Sequence, residues 1–282
     1  MSNRTAVCRP LLAGLAALFM QCCQAADHPV RVQLNQAVQP FALPASGSGL
    51  QADIIRAAFA TQSVPTEFVF LPGARSWLEY KAGRIDAVTN AKPGSELDIV
   101  LTHWPVALFQ NQAITLKRKN IEFKSIGELG KYRVIAFQNA SKFLGPEYAI
   151  MARLNPNYVE QATMPSFLLR NEATDVIVSQ ADIFRFNLIE NAARLGFKPD
   201  FEQFEYHPIF EKGNDYWYGF RTEAMRDQFE RGIAAIYKSG EIDKIFAHYQ
   251  KQFGTSRELF IHLDCRFLKK NRPPACAQEA QH

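Results

Sequence analysis

Charge of one sign is what this chain lacks most plainly. Its 282 residues carry 32 Lys and Arg against 28 Asp and Glu. A balance this even leaves no basic footprint, which excludes a nucleic-acid partner. Histidine is scarce. His28, His103, His207, His248, His262 and His282 are the whole set, and no two stand at metal-ligand spacing. No H-E-x-x-H, G-x-S-x-G or P-loop pattern occurs, so no catalytic set, metal or cofactor is expected. Past residue 25 no run is apolar enough to cross a bilayer, which takes about 20 residues.

Apolar material is abundant: 47% of the chain is hydrophobic, and 22 residues are phenylalanine. That suffices for a core and excludes a disordered chain. The length exceeds the usual size of one small core, so one large domain or two lobes is expected. Residues 1–25 read as a secretory signal. Arg4 and Arg9 open it, an apolar run spans Leu11 to Met20, and Cys23-Gln24-Ala25 supplies small residues for cleavage near Ala25. Phe19-Met20-Gln21 is too bulky for a lipoprotein anchor on Cys22 or Cys23. Removing the leader takes Cys8, Cys22 and Cys23, and leaves a net charge of +2 with Cys265 and Cys276 eleven residues apart. In the periplasm, an oxidising compartment, these two are expected to form a disulfide.

The mature chain alternates strands and helices. Strands are predicted at Val30–Leu34, Glu67–Leu71 and Ile85–Thr89, with helices at Leu50–Thr61 and Ala74–Ala82 between them. This βαβαβ start implies a parallel sheet with right-handed crossovers. Further strands are expected at Ile99–Thr102 and Gln112–Lys117. A second unit follows. It has a short helix at Ile126–Leu129 capped by Ser125, a strand at Arg133–Phe137, helices at Ser141–Arg153 and Pro165–Glu172, and a strand at Asp175–Ser179. Next comes an amphipathic helix, Ala181–Leu195, stopped by Gly196. Strands at Phe201–Phe210 and Tyr216–Arg221 and helices at Thr222–Lys238 and Glu241–Phe253 complete the pattern.

Two such units imply two lobes with a cleft, and ligands of open α/β sheets sit at strand carboxyl ends. The segments there are Phe41, Pro72–Arg75, Thr89-Asn90, Thr102–Trp104, Gln138–Ser141 and Ser179-Gln180. Arg75 opens a helix, where a guanidinium can grip a carboxylate or phosphate. Asn90 and Thr102 offer polar groups past strands, or cap them. Trp104 walls the cleft or packs beside it. The backbone N–H groups of Gln138, Asn139 and Ser141 are placed to hold an anion or to cap a helix. Tyr216, Trp217 and Tyr218 read as strand packing near the hinge, and His103 as a satisfied structural group.

Several segments together resemble the bacterial extracellular solute-binding proteins of the polar-amino-acid ABC-transporter type. They are GLQADIIRAAF from Gly49, PGAR from Pro72 with KAGRIDAV from Lys81, SIGELGKYRV from Ser125, TDVI from Thr174 and SGEIDKIFAHYQKQF from Ser239. The resemblance covers residues 28–254. It implies an α/β, two-lobe type II periplasmic-binding fold, each lobe a mixed sheet flanked by helices. Lobe 1 is expected over 26–112 plus 210–254, lobe 2 over 113–209, and a C-terminal tail over 255–282. The implied function is capture of a small solute (amino-acid-like, an organic acid or an amine) by a monomer that presents it to an inner-membrane permease or sensor. Phe41, Arg75, Asn90, Thr102, Trp104, Gln138, Asn139, Ser141 and Gln180 are the expected ligand-binding residues. Two departures stand out. The family's amino-acid binders carry an arginine shortly before the Thr102 region, where this chain reads Ser95-Glu96-Leu97-Asp98. They also carry an aspartate where this chain has Gln180, with Asp182 two residues on. Either Arg75 takes over the anion-binding role or the ligand is of another kind. Relatives of this fold also include periplasmic dehydratases, in which a cleft carboxylate or His103 would be the general acid.

Overall fold

The computed structural model describes residues 28–94, 98–163, 166–210 and 213–279. The leader predicted over 1–25 lies outside the described residues, as do Ser95, Glu96 and Leu97 of the arginine-free stretch. In chain order the first elements are β1 (Val30–Asn35), α1 (Leu50–Ala60), β2 (Thr66–Leu71), α2 (Gly73–Lys81), β3 (Ala87–Ala91), β4 (Val100–Leu101) and β5 (Ala107–Phe109). The middle of the chain holds β6 (Asn111–Leu116), β7 (Val134–Phe137), α3 (Ala140–Phe143), α4 (Pro146–Leu154), β8 (Tyr158–Gln161), α5 (Phe167–Arg170), β9 (Val176–Gln180), α6 (Ala181–Leu195) and β10 (Phe204–His207). The last elements are β11 (Asn214–Phe220), α7 (Glu223–Ser239), α8 (Glu241–Phe253), α9 (Ile261–Phe267) and α10 (Cys276–Glu279).

Two mixed sheets result. The first runs β2-β1-β3-β11-β4, with β5 on β11; the second runs β10-β6-β9-β7-β8. Each contains a parallel trio with its first strand in the middle: β1 pairs with β2 and β3, and β7 pairs with β8 and β9. The remaining pairings, those of β11 and β6, are antiparallel.

An Arg–Asp clasp repeats between the lobes. Arg31, on β1, forks onto Asp86 just before β3 with Nε and Nη2 both at 2.9 Å, and its Nη2 also donates to Gly83 O. Arg133, just before β7, forks onto Asp175 just before β9 at the same two distances, and its Nη2 donates to Glu172 O. Gly83 and Glu172, each three residues before its aspartate, both have positive φ.

The first core lies between the first sheet and helices α1, α7 and α8. Leu50, Ile54, Ile55, Ala58 and Phe59 of α1 are buried against Phe229, Ile233 and Ile236 of α7. Burying each large side chain stabilises the lobe by about 1.5–3 kcal/mol. The α1–α7 crossing is so close that a Cβ on Gly232 would stand 2.1 Å from Ala58 O. The second sheet is covered on both faces, by a cluster around Tyr148 and Met151 and by another around Phe184 and Leu188.

The helix predicted over Ser141–Arg153 is two helices. Gly145 takes φ 92° and Pro146 starts α4 at its first position, where a missing N–H costs nothing. The strand expected at Ile85–Thr89 is shifted to Ala87–Ala91, because Asp86 is held in the Arg31 clasp before the ladder begins. Ser125 makes no side-chain cap bond. Residues 255–279 do not trail away as a tail. Leu259, Phe260 and Leu263 are buried in the first core. The expected disulfide joins Cys265 to Cys276 across 5.2 Å between Cα atoms.

Candidate functional site

The chain passes between the sheets twice, from β5 to β6 through Gln110 and from β10, which ends at His207, to β11, which starts at Asn214. Strand register fixes where these crossings emerge. Asn111, at the start of β6, pairs with Gln180 at the carboxyl end of β9. Trp217, the middle residue of β11, pairs with Ala91 at the carboxyl end of β3, and Lys92 just beyond it reaches Asn214 at the start of β11. The carboxyl ends of both parallel trios therefore meet at the same crossings, which Gln110 ties together by donating from Nε2 to Phe210 O at 3.0 Å. The order of each trio places a topological switch point between β1 and β3 and another between β7 and β9.

The first lobe contributes Asn90 and Lys92 to this region, while Arg75 follows β2, the edge strand of the sheet. Arg75 stands in the first turn of α2 with its side chain 66% exposed, and its Nε lies 3.6 Å from Glu79. Glu79 is also bound by Arg84, whose hydrogen bond holds the Glu79 carboxyl below its ordinary pKa despite some desolvation. Asn90, on β3, carries a buried Oδ1 with no hydrogen-bond partner among the described residues, as does the Oε1 of Gln112 near the start of β6. Lys92, the first residue after β3, donates to Asn214 at 3.1 Å and lies 4.9 Å over the Tyr216 ring. Neither Lys92 nor Tyr216 is an expected ligand-binding residue. The signal for Lys92 is a lone cation directly after a buried strand at the switch point.

The second lobe contributes Gln138, Asn139 and Ser141 after β7, and Gln180 at the end of β9. Gln138 is exposed. The backbone N–H groups of Asn139 and Ser141 already hold an anion: they donate to Glu160 Oε2 and Oε1 at 2.6 and 2.8 Å. The Tyr158 hydroxyl adds a third bond at 2.8 Å. Burial raises the Glu160 pKa, but the bonds from Ser141, Tyr158 and Asn139 outweigh it and hold the carboxyl below its usual range. Glu160 sits two positions along β8 from Tyr158, an alternation that β8's four residues are too few to display. A cavity of about 470 Å³ lies beside it, lined by Ser141, Ile150, Arg153, Tyr158 and Glu160 and wholly within the second lobe. Gln180 is buried as the cap of α6: its Oε1 accepts from Ile183 N at 2.9 Å and its Nε2 reaches Asp182 at 3.3 Å.

Phe41, Thr102 and Trp104 are not gathered with these residues. Phe41 is fully buried, edge-on to Phe109, which is edge-on to Tyr216, so it supports the crossing from behind. Thr102 Oγ1 donates to Trp104 O at 2.8 Å and accepts from Tyr218 N at 3.3 Å. Trp104 is covered by Phe267 of α9 and by the Arg266 guanidinium. His103 stands against α7, with its N–H and Nδ1 on the two Glu230 oxygens at 2.8 and 2.9 Å.

No protein-family model and no curated protein matches the chain. Solved structures do. An ABC uptake transporter substrate-binding protein from Streptococcus pneumoniae with bound histidine is similar at TM-score 0.60 and 14% identity, covering 80% of this chain and 93% of that one. The GluR0 ligand-binding core with L-glutamate is similar at TM-score 0.61 and 13% identity, covering 79% and 99%. A histidine kinase sensor domain with similarity to periplasmic binding proteins is similar at TM-score 0.59 and 17% identity, covering 78% and 95%. At these identities the likeness establishes the fold. The molecule has the two-lobe architecture of the type II periplasmic binding proteins.

Proposed function

We propose that this protein is a periplasmic solute-binding protein that captures a small polar solute between its lobes and presents it to an ABC-type importer. The observation that supports the reading is that the carboxyl ends of β3 and β9 both lie beside the crossings, with Lys92 on Asn214 and the buried amide oxygens of Asn90 and Gln112 close by in the chain; Arg75 and Gln138 are proposed to join them. The ligand-bound amino-acid binders among its structural neighbours support it. Lobe 1 then runs up to the Gln110 crossing and resumes at β11, and lobe 2 runs from β6 to β10, so the boundary expected between residues 112 and 113 moves to the start of β6; residues 255–279 pack onto lobe 1. The leader read over 1–25 directs export, and among the described residues no helix is long and apolar enough to cross a membrane. The proposed action is binding without catalysis, by a monomer. A solute touching both lobes favours the closed arrangement by its differential affinity for it.

A ligand at a hundred times its Kd stabilises the folded state by about 2.7 kcal/mol. Thermal unfolding with a panel of amino acids, organic acids and amines should therefore show a raised Tm for at least one class. A flat response across all three classes would overturn the reading. A sensory role is the second reading, favoured by the kinase sensor domain among the neighbours. Adjacent genes for a permease and an ATPase support transport; an adjacent signalling gene supports sensing.

A further inference from the structure

Two single-strand crossings normally leave two lobes free to rotate about them. In this molecule the segment after α8 makes a further contact. Asp182, in the first turn of α6 and 4% exposed, belongs to the second lobe. Its carboxylate accepts the Ser256 backbone N–H at 3.2 Å to each oxygen and the Ser256 hydroxyl at 2.9 Å. Beside it, Phe186 of α6 meets Phe253 of α8 with ring centroids 5.0 Å apart. Between these two contacts the Arg185 guanidinium lies so close to Gly254 that a Cβ there would be 2.8 Å from Nη2.

The other end of the segment is fixed to the first lobe. Arg257 forks onto Asp264, which is fully buried, at 2.8 and 2.6 Å, and the Tyr237 hydroxyl donates to the same carboxylate at 2.9 Å. The 3₁₀ turn Glu258–Phe260 and α9 pack on β5, the strand that leads into the first crossing. His262 Nε2 is 2.8 Å from Asp215 of β11, the strand that leaves the second crossing. Phe267 covers Trp104.

We propose that residues 253–267 form a strap, a third connection between the lobes, fastened to the second lobe at Asp182 and limiting how far the lobes open. Moving α6 away from Ser256 strips the Asp182 carboxylate of its Ser256 bonds and leaves it the Gln180 Nε2 donor at 3.3 Å, a costly loss for a charged acceptor. Lobe rotation that keeps the Asp182–Ser256 contact as its pivot avoids that cost. The inference rests on the two-lobe fold and on no ligand.

The test is an interlobe distance measurement on the ligand-free full chain. Spin labels are carried on p-acetylphenylalanine introduced at Lys81 of α2 and at Lys198 beyond α6, both exposed. The unsubstituted strap should give one narrow distance distribution. Asp182→Ala should broaden it and shift it to longer distances. Should Asp182→Ala fail to fold, the pair Ser256→Ala with Phe186→Ala is measured in its place, with the same expectation. A distribution unchanged from the parent in whichever folded variant is measured overturns the strap. A failed ligand screen leaves this outcome untouched.

Discussion

At the scale of single residues, the carboxylates of the strand ends are held in their charged form. In Asp175 the Arg133 bonds lead, with Lys119 adding to them against desolvation. In Asp86 burial works against the charge, and the Arg31 bonds outweigh it. Each of these groups, and Glu160 with them, has a lower pKa folded than unfolded. As pH falls, the unfolded chain binds protons first. Their contribution is therefore complete above the unfolded carboxyl values, near 4, and is lost as pH drops through the folded ones. His207 obeys the same sign at higher pH. Burial lowers its pKa, outweighing Glu205 and Glu122, and its Nε2 lies 2.8 Å from Thr115 Oγ1. Its contribution is complete above the unfolded value near 6.5 and declines below it. Tm measured from pH 8 to 3 should slip below about 6.5 and fall again below about 4. His207→Gln should abolish the first step alone. A parent curve that stays level down to about pH 4 would contradict the histidine assignment.

Glu160 gives a sharper test. Glu160→Ala strips the Asn139 and Ser141 N–H groups of their acceptor, and a charged acceptor of this kind contributes about 1.5–3 kcal/mol. Urea unfolding should show that loss as a lower midpoint with an unchanged slope. Added sulfate should restore part of it at ionic strength matched with chloride, since the freed N–H groups are an anion site again. Equal midpoints in the two salts would show that the N–H groups find another acceptor.

At the scale of elements, much of the order was legible in the sequence. The helix expected over Ala181–Leu195 with Gly196 as its stop is α6, and Gly196 does take the left-handed conformation. The Gly49 start of α1 is likewise a local signal, and the helix expected from Thr222 is α7, which begins one residue later with Thr222 as its cap. What was not legible is short or tertiary. β5 and β8 have three and four residues, too few for alternation to show. The candidate site divides the same way. Strand ends marked Asn90, at the end of β3, and Gln180, at the end of β9, as positions beside the chain crossings. They could not reveal that Glu160 occupies the Asn139–Ser141 donors, or that α9 covers Trp104, because both partners are distant in the chain.

Gly232 is a further tertiary constraint at this scale. By helix propensity alone Gly232→Ala should stabilise α7 by about 1 kcal/mol. At the α1 crossing the added methyl meets backbone, which cannot yield as a side chain would. Overpacking of this kind costs about 1–3 kcal/mol, and more when backbone must move. Net destabilisation is expected in denaturant unfolding. A more stable variant would mean that α1 and α7 separate freely.

At the scale of the whole molecule, the question is whether residues 255–279 belong to the folded unit or merely hang from it by a disulfide. The Cys265–Cys276 bridge closes a short loop, and its effect on the unfolded chain is about 2–3 kcal/mol. Phe260 is fully buried, with its ring 5.8 Å from Phe246 of α8. Removing a core phenylalanine costs about 3–5 kcal/mol. If the segment is core, Phe260→Ala must destabilise the molecule by at least as much as the double substitution Cys265→Ser with Cys276→Ser, and both must act on the single main unfolding transition. If it is an appendage, Phe260→Ala will be nearly silent in that transition and the double cysteine variant will only loosen the segment locally. The packing of Leu259, Phe260 and Leu263 into the same cluster as α1 and α7 argues for the first outcome. It also explains how a segment absent from the leading sequence motifs can bear on the hinge: it reaches the crossings as part of the first lobe's core.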